Sequence, residues 1–148
     1  MNISYPTLPN TFAMQELLTN LNELTDGLLY TSESDYPFDT FLLDATKPIE
    51  EQLLEKAKKP KRTHIETRAW KGFFDNYTVA KDWWSDAEKN TAERYRNIVT
   101  TVEANAITTD GAKDIKVYRI GTTQVSVYIV VHLPENQYVV LATTAIET

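Results

Sequence analysis

The side chains of this sequence that could do chemistry are the carboxylates of a short acidic segment, residues 31–39. Its polar side chains include three carboxylates and two serines, Glu33, Asp35, Asp39, Ser32 and Ser34. Residues 1–46 hold seven acidic residues and no Lys or Arg, whereas residues 47–148 hold 14 acidic and 15 basic residues. The formal charge of −6 therefore comes from the first third of the chain. Such a segment attracts cations or basic proteins and repels nucleic acid.

Catalytic signatures are almost absent from the rest of the sequence. His64 and His132 lie far apart, and neither has a second His or a Cys at metal-ligand spacing. The lack of Cys excludes a disulfide framework, a thiolate zinc site and a cysteine nucleophile. No Gly-x-Ser-x-Gly motif or glycine-rich phosphate loop occurs.

Glu33 and Asp35 are the remaining candidates for a catalytic acid and base. In a strand-like conformation their side chains would point to the same side, but this alone does not define a substrate site. We therefore predict that the protein is not an enzyme. A small hydrolase, the remaining enzyme hypothesis, would need a clustered polar pocket that the sequence does not show.

Two other segments could contact partners. The basic run at residues 58–62 could bind nucleic acid, but a chain with a pI of about 4.9 favours a solvated loop. Trp83 and Trp84 precede a helix start, where one tryptophan commonly packs into the core. We predict core packing for Trp83 and leave Trp84 open between core and interface.

The composition predicts one folded domain spanning residues 1–148. A hydrophobic content of 42% with 11% aromatics is enough for one sizeable core, and it argues against disorder. Apolar runs such as residues 127–131 are far shorter than the roughly 20 residues of a membrane span, and no basic-then-apolar leader is present. We therefore expect a cytoplasmic protein that binds neither membranes nor nucleic acid.

The periodicity predicts an α+β fold, with strands on both sides of the acidic segment. Apolar spacing predicts a first helix over residues 12–25, and Pro48 opens a short second helix. Ser85 and Glu88 form a capping box that starts a long helix at about 86–106. The predicted strands are residues 28–30, 38–43, 117–120, 125–133 and 137–146, the last three forming an antiparallel meander.

Several motifs occur in an order that resembles the nuclease A inhibitor family of cyanobacteria, small inhibitors of a sugar-non-specific endonuclease. The residues that match are Asp26-Gly27-Leu28-Leu29-Tyr30, Ser32-Glu33-Ser34, Tyr36-Pro37-Phe38, Phe73-Phe74, Asp82-Trp83, Val117-Tyr118-Arg119-Ile120-Gly121, Val127-Tyr128 and Glu147-Thr148. The resemblance runs from about Leu17 onward, leaves residues 45–65 unmatched, and makes residues 1–10 an N-terminal extension. Asp35 stands where the family has Glu.

This resemblance implies a three-layer α/β/α sandwich around a mainly antiparallel sheet. It further implies a proteinaceous inhibitor that plugs the basic, magnesium-bearing active site of a non-specific DNA/RNA endonuclease. Glu33 would imitate the charge of the scissile phosphate, and Thr148 would reach the partner's metal, so the two residues must meet on one edge. The protein itself would need no cofactor and no metal of its own. The predicted partner-binding residues are Glu33, Thr148, Ser32, Ser34, Asp35, Tyr36 and Trp84.

The alternative is a protein-interaction module of unknown partner on the same scaffold. Such a module would use the edge formed by Trp83 and Trp84, because tryptophan is enriched among the residues that dominate interface energies. The two hypotheses differ in which side chain binding depends on, Glu33 or Trp84.

Overall fold

The computed structural model describes residues 11–147, so the predicted extension at residues 1–10 and Thr148 lie outside the described residues. The described chain forms helices α1 (Thr11–Thr25), α2 (Ile49–Ala57), α3 (Asp75–Thr78) and α4 (Asp86–Asn105). Its strands are β1 (Leu29–Thr31), β2 (Asp35–Pro37), β3 (Asp39–Leu42), β4 (Ile65–Ala69), β5 (Thr108–Thr109), β6 (Ala112–Lys113), β7 (Ile115–Ile120), β8 (Gln124–Leu133) and β9 (Gln137–Ile146). The predicted α+β class is confirmed.

Five strands form one antiparallel sheet in the order β3-β9-β8-β7-β4. The long strands β8 and β9 pair along their whole length, from Gln124 opposite Ile146 to Leu133 opposite Gln137. Two small hairpins, β1–β2 and β5–β6, lie outside this sheet. The predicted meander of the last three strands is therefore confirmed, and its order brings the end of β9 next to the start of β8.

Hydrophobic cores cover both faces of the sheet. Side chains alternate along β8, so Val127 and Ile129 enter a first core while Tyr128 and Val130 enter a second one. The first core also takes buried residues of α1 and α4, and the second takes Leu53 and its neighbour from α2. Helices thus pack on both faces, as the predicted sandwich requires, although its three-layer detail stays a prediction.

Helix α4 follows the capping pattern of its sequence. The Ser85 hydroxyl accepts a hydrogen bond from the Glu88 backbone N–H, and the Glu88 carboxylate accepts one from the Ser85 backbone N–H. The helix buries Tyr95, Ile98 and Val102 along one side. The capping box thus satisfies the backbone N–H groups of Ser85 and Glu88 locally, which is why the predicted boundary was accurate there.

Several elements and one tryptophan differ from the sequence predictions, which did not include α3, β5 or β6. The acidic segment was expected to be a loop, but it contains β2, which pairs with β1. Strand β4 was not predicted because it is an edge strand with no buried residue and therefore lacks an apolar alternation. The predicted core packing of Trp83 is wrong, since its side chain is 77% exposed, whereas the neighbouring Trp84 is half-buried.

No helix within the described residues is both long and apolar enough to cross a membrane.

Replacing Ser85 with Ala should lower the free energy of unfolding by about 1 kcal/mol, because the cap loses its side-chain acceptor. Urea denaturation would measure this change, with Thr100→Ala as the control, since Thr100 is exposed on the same helix. Equal stabilities of Ser85→Ala and Thr100→Ala would contradict the importance of the cap.

Candidate functional site

The acidic segment folds into a tight hairpin with Glu33 at its apex. Strands β1 and β2 pair up to Thr31 opposite Asp35, so residues 32–34 alone form the loop. Within that loop the Ser32 backbone N–H donates to the Ser34 carbonyl at 3.0 Å, and the Ser32 hydroxyl donates to the same oxygen at 3.2 Å. The Glu33 side chain is exposed. We call β1, residues 32–34 and β2 the acidic hairpin.

The apex of the acidic hairpin is hydrogen-bonded to the end of β9. The Ile146 backbone N–H donates to the Ser32 hydroxyl at 2.9 Å, and the Glu33 backbone N–H donates to the Ile146 carbonyl at 3.3 Å. These bonds fix the backbone from which the Glu33 carboxylate projects. Ile146 precedes Thr148 by two positions in the sequence, while Thr148 itself lies outside the described residues.

The two strands of the hairpin are held by hydroxyl groups from the body of the protein. The Tyr95 hydroxyl donates to the Leu29 carbonyl at 2.7 Å, and the Tyr77 hydroxyl donates to the Thr31 carbonyl at 2.6 Å. On the second strand, the Thr143 hydroxyl donates to the Pro37 carbonyl at 3.0 Å. Because hydrogen bonds reach both strands, the hairpin is tied to the protein along its length and not only at its ends.

A cluster of aromatic rings lies beneath the first strand of the hairpin. Tyr30 is buried, and its ring lies 5.2 to 6.4 Å from those of four other aromatic residues, Phe38, Phe73, Phe74 and Tyr77. Burial raises the pKa of Tyr77 and of Tyr95 well above the ordinary value of 10.0, with nearby tyrosines adding to the effect. The two hydroxyls that hold β1 therefore remain protonated donors at neutral pH.

The residues that follow β9 are fixed by a second set of contacts. The Glu147 backbone N–H donates to the Thr123 carbonyl at 2.8 Å. The Glu147 carboxylate accepts a hydrogen bond from the guanidinium of Arg119, a residue that is only 6% exposed. Arg119 also lies 3.4 Å from Glu66, whose pKa the neighbouring Arg68 holds below its ordinary value. Glu147 thus has a buried cation as its partner.

The basic run at residues 58–62 contributes one lysine to this end of the sheet. The Lys59 ammonium donates to the Ile120 carbonyl at 2.8 Å and to the Gln124 carbonyl at 2.7 Å, and so bridges the turn between β7 and β8. Partial burial lowers the pKa of Lys59. Gly121, within that turn, has a φ of +109°, and a Cβ there would lie 2.6 Å from the Gln124 carbonyl oxygen. The central lysine of the run therefore stabilises a turn, while Lys58 and Arg62 are exposed.

The structure brings together some of the predicted partner-binding residues. Ser32, Glu33 and Ser34 form the apex, and Asp35 and Tyr36 follow in β2, where Asp35 is exposed and Tyr36 half-buried.

Trp84 belongs to a separate segment before α4. It lines a surface depression of about 210 Å³ together with Tyr77 and Tyr95, the residues whose hydroxyls hold β1. Trp84 therefore lies near the two tyrosines that hold the hairpin.

Several residues that shape the site were missed by the sequence predictions. Tyr95 lies on the buried side of α4, and a buried tyrosine hydroxyl usually needs a hydrogen-bond acceptor, which was the available signal. Arg119 lies two residues after the buried Val117 on β7, and a charged residue at an inward position calls for a carboxylate partner. Neither signal identifies the partner, because Leu29 and Glu147 are distant in sequence.

The described residues contain no cluster of three or more His, Cys, Asp or Glu that could hold a metal ion. Of the two histidines, His132 has both ring nitrogens occupied, one 2.8 Å from the Asp114 carboxylate and the other 3.0 Å from the Asn136 side-chain oxygen. Its ring also stacks on Tyr138, with 4.4 Å between centroids. These contacts are those of a satisfied structural residue.

An exposed carboxylate on a rigidly held hairpin, carried by an α+β scaffold, defines a protein that presents an acidic apex to a partner. Residues 15–148 match the nuclease A inhibitor-like protein family, and the chain belongs to that family. The suspected resemblance is therefore confirmed, and the matched range includes residues 45–65. Membership implies the role of a nuclease inhibitor, with a nuclease as its partner. No curated protein matches the chain.

Replacing Tyr95 with Phe should reduce the loss of stability at alkaline pH. Because the folded-state pKa is raised above the ordinary 10.0, the contribution of this tyrosine is complete below pH 10.0 and is lost as the pH rises further. Urea unfolding of both proteins at neutral pH and at about pH 10.5 would measure the difference. At neutral pH the variant should be about 1 kcal/mol less stable, because the partly buried hydrogen bond from the Tyr95 hydroxyl to the Leu29 carbonyl is lost. The same alkaline loss in variant and wild type would be inconsistent with this role.

Proposed function

We propose that this protein inhibits a magnesium-dependent, sugar-non-specific endonuclease by inserting the acidic hairpin into the nuclease active site. The Glu33 carboxylate takes the position of the scissile phosphate. The main support is the geometry of the hairpin, because Glu33 stands exposed at an apex whose backbone is bonded to Ile146. Family membership supplies the class of partner.

Electrostatics favours this mode of inhibition. A nuclease site holds cations that stabilise the negative charge of the phosphate, and a carboxylate presents charge of the same sign to that site. Residues 1–46 contain no Lys or Arg, and Glu33, Asp35 and Asp39 contribute to the net negative charge of that part of the chain. Complementary charge of this kind accelerates association at low salt.

The rigidity of the acidic hairpin also favours this mode of inhibition. Ordering a loop on binding costs free energy, and a loop that is already fixed avoids most of that cost. The hydrogen bonds from Ile146 and Tyr77 fix the apex and the strand that leads to it before any partner arrives. The acidic hairpin is therefore suited to enter a preformed cleft.

The remaining predicted residues have supporting roles in this proposal. Thr148 reaches the metal of the nuclease through its oxygen atoms, since magnesium prefers hard oxygen ligands. This role is consistent with the bond between Glu33 and Ile146, two positions before Thr148. Ser34, Asp35 and Tyr36 contact the rim of the active site beside the apex. The proposal includes a cytoplasmic location and no cofactor.

Replacing Glu33 with Ala should weaken inhibition about 100-fold, as expected for a central interface residue, because the phosphate-like charge is removed. The assay follows plasmid degradation by several ββα-metal, non-specific nucleases at increasing inhibitor concentrations. Deleting Thr148 should also weaken inhibition. Thermal unfolding should remain nearly unchanged in Glu33→Ala, because its side chain is exposed.

The matched control is Glu51→Ala, which removes an exposed carboxylate from α2, the helix of the second core. Inhibition by Glu51→Ala should equal that of the wild type. The residue assignment fails if Glu33→Ala inhibits as well as the wild type. The inhibitory role itself fails if a large molar excess of wild-type protein slows none of the nucleases.

The exposure of Trp83 favours a second candidate function, a protein-interaction module. The ring of Trp83 is 77% exposed and lies edge-on to that of Trp84, with 6.4 Å between centroids. An interface centred there would use tryptophan as its main anchor rather than the acidic apex.

Pull-down experiments with three variants would distinguish the two functions. A module centred on the tryptophans retains its partner after Glu33→Ala and loses it after Trp84→Ala. Val79→Ala is the control for loss of exposed apolar surface, since Val79 is 64% exposed. If Glu33→Ala loses the partner while Trp84→Ala and Val79→Ala retain it, the tryptophan-centred module is excluded.

A further inference from the structure

Arg119 is a buried cation that lies between two carboxylates at the edge of the candidate site. It is 6% exposed, it pairs with Glu147, and its Nε lies 3.4 Å from Glu66. Its backbone is fixed on both sides, because β7 pairs with β4 at Glu66 and with β8 at Val127. The guanidinium therefore projects from an interior strand that cannot easily move.

Glu147 is in a different position, because the sheet does not hold it. The last pair of the β8–β9 ladder joins Gln124 and Ile146, and Glu147 follows that pair. Beyond the ladder, Glu147 has one backbone hydrogen bond to the Thr123 carbonyl and the ion pair with Arg119. The ion pair is thus a large part of what holds the chain after β9.

The segment that Arg119 holds is the one that supports the acidic apex. Glu147 is bonded to Arg119, and its direct neighbour Ile146 exchanges hydrogen bonds with Ser32 and Glu33. A continuous series of contacts therefore leads from the buried guanidinium to the backbone of the apex. Movement of the segment 146–147 would move the acceptor for the Glu33 amide and the donor to the Ser32 hydroxyl.

We infer that Arg119 is a positioning residue: by holding Glu147 it fixes the end of β9 and thereby the direction in which Glu33 is presented. This inference rests on the proposed function for its effect on a nuclease, but the clamp itself is a property of this chain alone. The charge-assisted bond is suited to the task, because such bonds are shorter and stronger than those between neutral groups.

The two carboxylates of Arg119 provide a matched pair of variants. Glu147→Gln removes the charge of the residue next to Ile146, whereas Glu66→Gln removes a similar charge that β4 holds on the opposite side. Both carboxylates are about half exposed, at 45% and 44%, so neither change should prevent folding. Mutating Arg119 itself would leave a hole in a buried site and is a weaker test.

The experiment measures the ¹⁵N heteronuclear NOE of the Glu33 and Glu147 amides together with the inhibition constant for the nuclease. In Glu147→Gln, the NOE at both amides should fall while the amide of Ile129 in the sheet is unchanged. Inhibition should weaken about tenfold, because the apex must then be ordered on binding. In Glu66→Gln, both quantities should remain those of the wild type.

An unchanged NOE at Glu33 in Glu147→Gln would overturn the clamp. Equal losses of NOE and inhibition in Glu66→Gln and Glu147→Gln would also overturn it, because the effect would then be a general loss of stability. If no nuclease is inhibited by the wild type while Glu147→Gln still loosens the Glu33 amide, the clamp stands and the proposed function fails.

Discussion

The hydroxyl of Ser32 joins two parts of the chain that are 114 residues apart, and the candidate site depends on that junction. It donates to the Ser34 carbonyl and accepts from the Ile146 backbone N–H, which uses both capacities of a single hydroxyl. One bond shapes the apex and the other connects it to the sheet. A hydrophobic side chain at this position could do neither, so the geometry around Glu33 follows from the chemistry of a neighbouring serine.

The rest of the hairpin shows how a small protein makes an exposed loop rigid. Aromatic rings pack against Tyr30 and supply apolar burial, while the hydroxyls of Tyr77 and Tyr95 satisfy backbone carbonyls of β1. Each of these tyrosines therefore contributes burial and a directional bond at once. The aromatic residues beneath the hairpin maintain its fold, so the exposed acidic side chains are not needed for that purpose and can contact a partner.

Charge is divided in the same way between surface and interior. The carboxylates of the apex are exposed, whereas Arg119 is buried and Lys59 partly buried, each bonded to a specific oxygen. The basic residues at this end are thus structural in part. This division explains how a net acidic hairpin coexists with a buried arginine on β7.

The sequence by itself determined the features that depend on nearby residues. The capping box of Ser85 and Glu88 located the start of α4, the apolar pattern predicted the strand at residues 125–133 that is part of β8, and the motif around Glu33 indicated the family. Each of these signals comes from interactions within a few positions, which the order of residues shows directly.

Only the tertiary structure decided which distant residues meet. Strand β4 pairs with β7, which offers it a partner, and Trp83 is exposed while Trp84 is half-buried. Glu147 lies against Arg119 because the register of β7, β8 and β9 brings them together. Pairing across a sheet is a long-range property, and a shift of one residue would place every side chain on the opposite face. The sequence could therefore identify the acidic apex, while the contacts that hold it required the folded chain.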